Sequence, residues 1–246
     1  VIKLRWGALP EELRVQGARP GMKFALGENP KRLDDRYPNT RMGVVEIMRD
    51  AFSAAKDYGE QWQTYREQSK KNRNLIPPRR DLKYEHLLGV LDGTTVAHCH
   101  AYRQDEILAM MRLAGEMGFR FDVFIHVLEG YKVAEEMRHC GAMATTFSDW
   151  WAYKVEACDA IPQNGAMLHD QGIVVSFNSD DPDLARRLNT EAAKAVKYGG
   201  VSPEEALTFV TLNAARQVYL DDRIGSLEPG KDADFVVWSG SPLSTY

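Results

Sequence analysis

Cysteine is scarce in this chain. Three occur in 246 residues (Cys99, Cys140 and Cys158), an odd number without CxxC spacing. That excludes a disulfide framework and a thiolate zinc site as organising features. Cys99, inside an apolar run, reads as a small buried hydrophobe. Long apolar runs are also missing, and none could span a bilayer. No signal-peptide pattern precedes the first segment, Val1-Ile2-Lys3-Leu4, and there is no initiator Met, so the chain reads as a fragment or a processed product. Charge of either sign is not in excess. The net value of −4 offers no basis for a nucleic-acid or anionic-membrane partner. The basic run Lys70–Arg73 and the pair Arg79-Arg80 read as solvated loop and helix-end charges.

What is present is ordinary in bulk and informative in order. With 44% hydrophobic and 27% charged residues, 246 positions suit one large α/β domain or most of one. Residues 1–42 are rich in Pro, Gly and Arg and hold one strand-like run, Gly21 to Leu26, followed by the turn Gly27 to Pro30. Val44, Val45, Ile47, Met48, Ala51, Phe52, Ala55, Tyr58 and Trp62 recur at helical spacing and predict a long helix over 43–72. A second helix is expected from about Asp81 to Leu91, stopping at Gly93.

An alternation follows. Strand 94–98 leads to helix 105–117 and Gly118. Strand 121–127 leads to helix 130–140 and Gly141. Strand 142–147 leads to an aromatic loop, a helix near 162–171 and Gly172. Strand 173–178 leads to a helix capped by Asp181, with Pro182 at its first position, ending at Gly199-Gly200. Ser202 to Glu205 is a capping box opening a helix to about Val218. Lys231 to Trp238 predicts a final strand after the turn Leu227 to Gly230. Strands alternating with helices imply a parallel sheet with right-handed crossovers. The expected fold is therefore an α/β, TIM-type (β/α)8 barrel, here partial with about five strands, because a closed barrel needs eight. Open edges are a liability in water. Completion by a missing N-terminal segment or by homo-oligomerisation is expected.

Four of the runs end in metal-ligand or aromatic types: TTVAHCH (94–100), FDVFIHV (121–127), MATTFSDWW (143–151) and GIVVSFNSDDPD (172–183). Polar residues at the carboxyl ends of barrel strands are where such folds build active sites. His98, His126 and Asp180 suit a zinc-like centre for hydrolysis. His98 and His100 lie on the same side of their strand by alternation, so both can face the barrel mouth. His98 is taken as the ligand by motif position and His100 as an outer or substrate contact. Trp150, Trp151, Tyr102, Tyr131 and Lys154 lie just past strand ends and are candidate substrate contacts, the two Trp as an apolar wall. Asp149 is a further polar candidate. His86, His139 and His169 fall within helical patterns and read as structural.

The motifs MKFALGENPKR (22–32), TRMGV (40–44), VAHCHAY (96–102), FIHVLEGYKVA (124–134), FSDWWAYK (147–154), NSDDPDLARRLNTEAAKAVKYGG (178–200), TLNAARQ (211–217) and IGSLEPGKDADFVVW (224–238) occur in an order that resembles the amidohydrolase superfamily, metal-dependent hydrolases on (β/α)8 barrels, and within it an imidazolonepropionase-like or prolidase-like group. The resemblance spans nearly the whole chain. It implies a barrel part over 1–220 and, over 221–246, the strand that returns to a small β-sandwich. It implies His98, His126 and Asp180 as ligands of Zn, with Mn or Fe as substitutes, and one or two ions. Lys23 in MKF matches the position of a carboxylated bridging lysine, with Glu28 as the alternative. Asp180 would act as general base and then acid toward the leaving amine. The implied substrate is an amide, cyclic amide or peptide-like small molecule. The same superfamily also holds deaminases, and a metal-free binding or assembly module is the third reading. Relatives with this motif set are often exported. The departure is the absence of a His-x-His strand before Lys23, which in the family supplies two further ligands.

Overall fold

A computed structural model describes residues 1–31, 35–150 and 152–245. Five parallel strands form one sheet in the order β1-β2-β3-β4-β5: Gly21–Ala25, Val96–Ala101, Val123–His126, Met143–Thr146 and Val175–Phe177. The helices are α1 (Arg41–Ser69), α2 (Leu82–Leu91), α3 (Gln104–Met117), α4 (Ala134–His139), α5 (Asn164–Asp170), α6 (Leu188–Gly199), α7 (Pro203–Thr208) and α8 (Leu212–Gln217). This is the expected run of βα units, a partial TIM-type barrel with five adjacent strands.

The register explains how one face became core. Phe24, Cys99, Phe124, Ala144 and Val175 pair side by side across the five strands, and all are buried. Period-2 alternation puts this row on the face that meets the helices. Phe52 of α1 completes it, stacking on Phe24 at 5.7 Å and meeting Phe119 at 4.6 Å between ring centroids. The opposite row reads Ala25, His100, Ile125, Thr145 and Ser176. It faces the barrel interior and carries most of the polar side chains.

Helix ends follow local chemistry. Thr40 and Asp81 cap α1 and α2 by accepting from the amides of Gly43 and Lys83. Gly118 and Gly200 end α3 and α6 in left-handed conformation, φ 76° and 70°. Gly199 marks a close approach: a Cβ there would sit 2.1 Å from the Cβ of Ala166 in α5. Gly199→Ala is expected to cost about 1–3 kcal/mol through overpacking, checked by urea denaturation.

Several expected elements differ. The helix expected from Pro182 starts only at Leu184, as a 3-10 turn, because Asp181 Oδ1 accepts from the amides of Asp183 and Leu184 and holds a turn first. The helix expected to run from Ser202 to Val218 is two, α7 and α8. The amide of Phe177 at the end of β5 donates to the Phe209 carbonyl at 2.9 Å, which takes that carbonyl out of a continuous helix. Residues 130–140 split into a 3-10 turn, Gly130–Lys132, and α4. The final strand expected over Lys231 to Trp238 is not formed, and Phe235, Val236, Val237 and Trp238 are exposed. A strand needs a partner, and none is paired with this run among the described residues.

Candidate active site

The carboxyl ends of β2, β3 and β5 converge. His100, on the interior row of β2, meets His126, the last residue of β3, with ring centroids 4.6 Å apart. His126 Nε2 lies 4.0 Å from Asp180 Oδ2, three residues past β5. His126 pairs in register with Ala101, on the outward row. Strict alternation would therefore send its ring away from His100. Its backbone breaks the alternation: φ is 81°, and that of Asp180 is 46°. Left-handed conformation at a non-glycine residue costs of order 1–3 kcal/mol and persists only where surroundings impose it.

Here the surroundings are aromatic. The His126 ring is sandwiched between Tyr102 (5.3 Å, 19° between planes) and Phe147 (4.8 Å, 17°), and Trp150 stacks on Phe147 at 4.5 Å. Asn178 Nδ2 stands 3.3 Å from His126 Nδ1 and donates to Thr145 Oγ1 at 3.2 Å. His100 Nε2 is 3.3 Å from Asn29 Nδ2, in the loop after β1.

Both imidazoles are held neutral. Burial pushes His126 down to about 3, helped by His100, Lys23 and Lys154. Burial also takes His100 down to about 4, helped by Lys154 and Lys23. Both values lie below the usual 6.5 of histidine. In the unfolded chain these groups take up protons below about pH 6.5, while the folded chain refuses them. The metal-free protein is expected to keep full stability above that pH and to lose it steadily as pH falls toward 4. Urea midpoints measured from pH 7.5 to 4 check the direction.

The other expected site residues fall in different places. His98 sits one interior layer deeper than His100, about 6.6 Å along the strand, opposite Lys23 in register. Burial lowers its pKa, Asp122 opposes this and Lys23 adds to it. No ring contact joins it to His126 among the described residues. Lys23 is exposed on β1. Glu28 lies 3.9 Å from Arg41. Lys154 Nζ stands 4.0 Å over the Tyr102 ring and 2.9 Å from Glu156. Tyr102 accepts a hydrogen bond from the Tyr153 hydroxyl, and burial raises its pKa. Tyr131 is turned elsewhere: its hydroxyl donates to the Asp159 carbonyl at 3.0 Å. Asp149 pairs with Lys194 of α6 at 2.5 Å and so holds its loop. Trp151 lies outside the described residues. Asn29, Phe147, Asn178 and Glu156 complete the site without having been singled out in the sequence. For Asn178 the only available signal was its place two residues before Asp180.

The donors are of the kind a zinc-like ion takes, neutral imidazole and carboxylate. They do not close a site alone. Among the described residues no three His, Cys, Asp or Glu side chains are gathered closely enough to hold a metal ion. The set fits a metal as part of a ligand shell.

Comparison with known proteins gives the class. The model of the amidohydrolase family matches residues 13–246, and the chain belongs to that family. It is 32% identical over 234 residues to the amidohydrolase tasK of Hapsidospora irregularis, covering 90% of this chain and 24% of that protein. It is 33% identical over 140 residues to an imidazolonepropionase of Thermoplasma volcanium, covering 56% of this chain and 33% of the other. Among solved structures, an amidohydrolase from Thermotoga maritima superposes with a TM-score of 0.83 at 36% identity, over 95% of this chain and 60% of that one. The chain thus spans about a quarter to three fifths of the relatives it matches.

Proposed function

We propose that this chain carries the carboxyl-terminal face of a metal-assisted hydrolase of C–N bonds, with an amide, cyclic amide or peptide-like small molecule as substrate. The observation that carries the reading is the meeting of His100 and His126 at 4.6 Å with Asp180 4.0 Å from His126, all at strand ends. His100 replaces His98 in the ligand set, since His100 is the β2 histidine that reaches His126. His100, His126 and Asp180 would contribute to a site for one or two divalent ions, Zn first and Mn or Fe as substitutes. Lys23 or Glu28 would add a further donor. The chemistry the ion supplies when bound is a water made acidic enough to attack near neutral pH.

The chain's own residues do the rest. The Asp180 side chain is 56% exposed, so its carboxylate can meet both the water and the substrate. It takes the water's proton as the oxygen bonds to the carbonyl carbon. It then delivers that proton to the nitrogen as the C–N bond breaks. The neutral imidazoles keep lone pairs available for an ion. Half-buried Trp150 forms an aromatic side of the mouth, and Lys154 sets a cation over the buried Tyr102 ring.

Metal content per chain by elemental mass spectrometry tests this on wild type, His100→Ala, His126→Ala and His98→Ala. Near-stoichiometric metal is expected in wild type and in His98→Ala, with loss in the other two. Retention in His100→Ala and loss in His98→Ala would return the ligand role to His98. A second reading, a metal-free binding or assembly module, is favoured by the unclosed donor set and by the edge position of β1. Folded wild type without metal, associating in sedimentation, would select it.

A further inference from the structure

We propose that Glu156 is a positioning residue: its one buried carboxylate clamps the loop after β1 to the loop after β4, and so holds Asn29 against His100 and Lys154 against Tyr102. The role of His100 in the site rests on the functional reading above; the clamp itself rests on geometry.

Glu156 has no exposed surface. A carboxylate removed from water must be met by cations and N–H donors, and those that meet it come from three parts of the chain. The amide of Glu28 donates to Oε2 at 2.9 Å. Lys154 Nζ stands 2.9 Å from Oε1. Arg41 Nη2 lies 3.4 Å from Oε2, while its Nε donates to Glu106 of α3 at 2.8 Å. Residues 28 and 156 are 128 positions apart. Their strands, β1 and β4, are separated in the sheet by β2 and β3. A link between the two loops therefore bridges the ends of the two strands that carry His100 and His126.

The loop after β1 is shaped to receive the carboxylate. Gly27 has φ 74°, and a Cβ there would stand 2.2 Å from Glu156 Oε2. Only glycine meets both demands. Two residues beyond Gly27, Asn29 Nδ2 reaches His100 Nε2. Two residues before Glu156, Lys154 lies over the Tyr102 ring, which also packs against the rings of His100 and His126. Asn29 thus touches an imidazole directly, and Lys154 reaches one through the Tyr102 ring.

Hydrogen exchange by mass spectrometry on the full chain tests the clamp, together with the ring 1H–15N signals of His100. In wild type, the peptides over 26–31 and 147–158 are expected to open at the same urea concentration, as one unit. In Glu156→Gln the charge that holds Arg41 and Lys154 is gone. Both peptides should exchange at least about tenfold faster, the His100 ring signals should move, and β2 and β3 should keep their protection. Gly27→Ala pushes on the same contact from the other side and should give the same paired signature. Independent opening of the two loops in wild type overturns the proposal whether or not either variant folds. So does acceleration of one loop alone, or an unmoved His100 signal with both loops released. Metal plays no part in these readouts, so a folded wild type without metal would sink the functional reading and leave the clamp standing.

Discussion

Replacing His126 with alanine is expected to weaken divalent-metal binding by more than about 100-fold, beyond the 10–100-fold cost of losing an outer-shell partner. Three facts converge on this residue. It stands between the other two proposed donors, with His100 on one side and Asp180 on the other. Its ring is neutral, so one ring nitrogen carries a lone pair that an ion could take across the physiological range. Its backbone is in left-handed conformation, held against the cost by the Tyr102 and Phe147 rings. The alanine variant loses both stacking partners and keeps a φ that alanine resists. A second consequence is specific to the buried imidazole. His126 refuses a proton in the folded chain and accepts one when unfolded, so it contributes to the loss of stability below about pH 6.5. Without it, the fall in stability between pH 6.5 and 4 should be shallower than in wild type. Zinc titration followed by calorimetry reads the first effect, and urea midpoints against pH read the second. Unchanged zinc affinity would remove His126 from the ligand set.

The second large effect concerns Phe52. Phe52→Ala is expected to cost about 3–5 kcal/mol, the range for emptying a buried aromatic site. The side chain is fully buried and stands between Phe24 of β1 and Phe119. Phe121 meets both Phe24 and Phe119, so the cavity would open into a cluster of rings that cannot collapse without moving the sheet. The effect should reach the site, because the first residue of α1 is Arg41, which ties Glu106 and Glu156. Denaturant unfolding gives the energy. Faster exchange at 26–31 in the same variant, under native conditions, would show that the loss of packing is felt at the loop. A cost below about 1 kcal/mol would mean that α1 is docked by other contacts.

The strand ends were legible because an apolar run that stops at His or Asp is a one-dimensional signal. His126 and Asp180 were singled out that way; His126 ends β3, and Asp180 lies three residues past β5. The choice between His98 and His100 was not legible. Both lie on the same face of β2, and only the register of β3 beside it decides which one reaches His126. That register pairs His126 with Ala101, next to His100 and three residues beyond His98. Tyr131 looked like a substrate contact for the same one-dimensional reason, and its hydroxyl went to the Asp159 carbonyl instead. Glu156 left no trace at all: a Glu two residues after a Lys reads as a solvated pair, and its burial depends on a loop 128 residues earlier.

The sequence by itself determined the βα order, the five barrel strands, most helix stops and the residue types at the strand ends. These follow from local periodicity, left-handed glycine and capping, which act over a few residues. The final run Lys231 to Trp238 marks the limit of that logic, since its pattern is that of a strand and its state depends on whether another strand is beside it. Tertiary structure alone decided which histidine joins the pair, the left-handed turn at His126 that breaks alternation, and the buried carboxylate that ties two loops. Each of these is a contact between distant parts of the chain, and its free energy depends on a register and a burial that no short window of sequence contains.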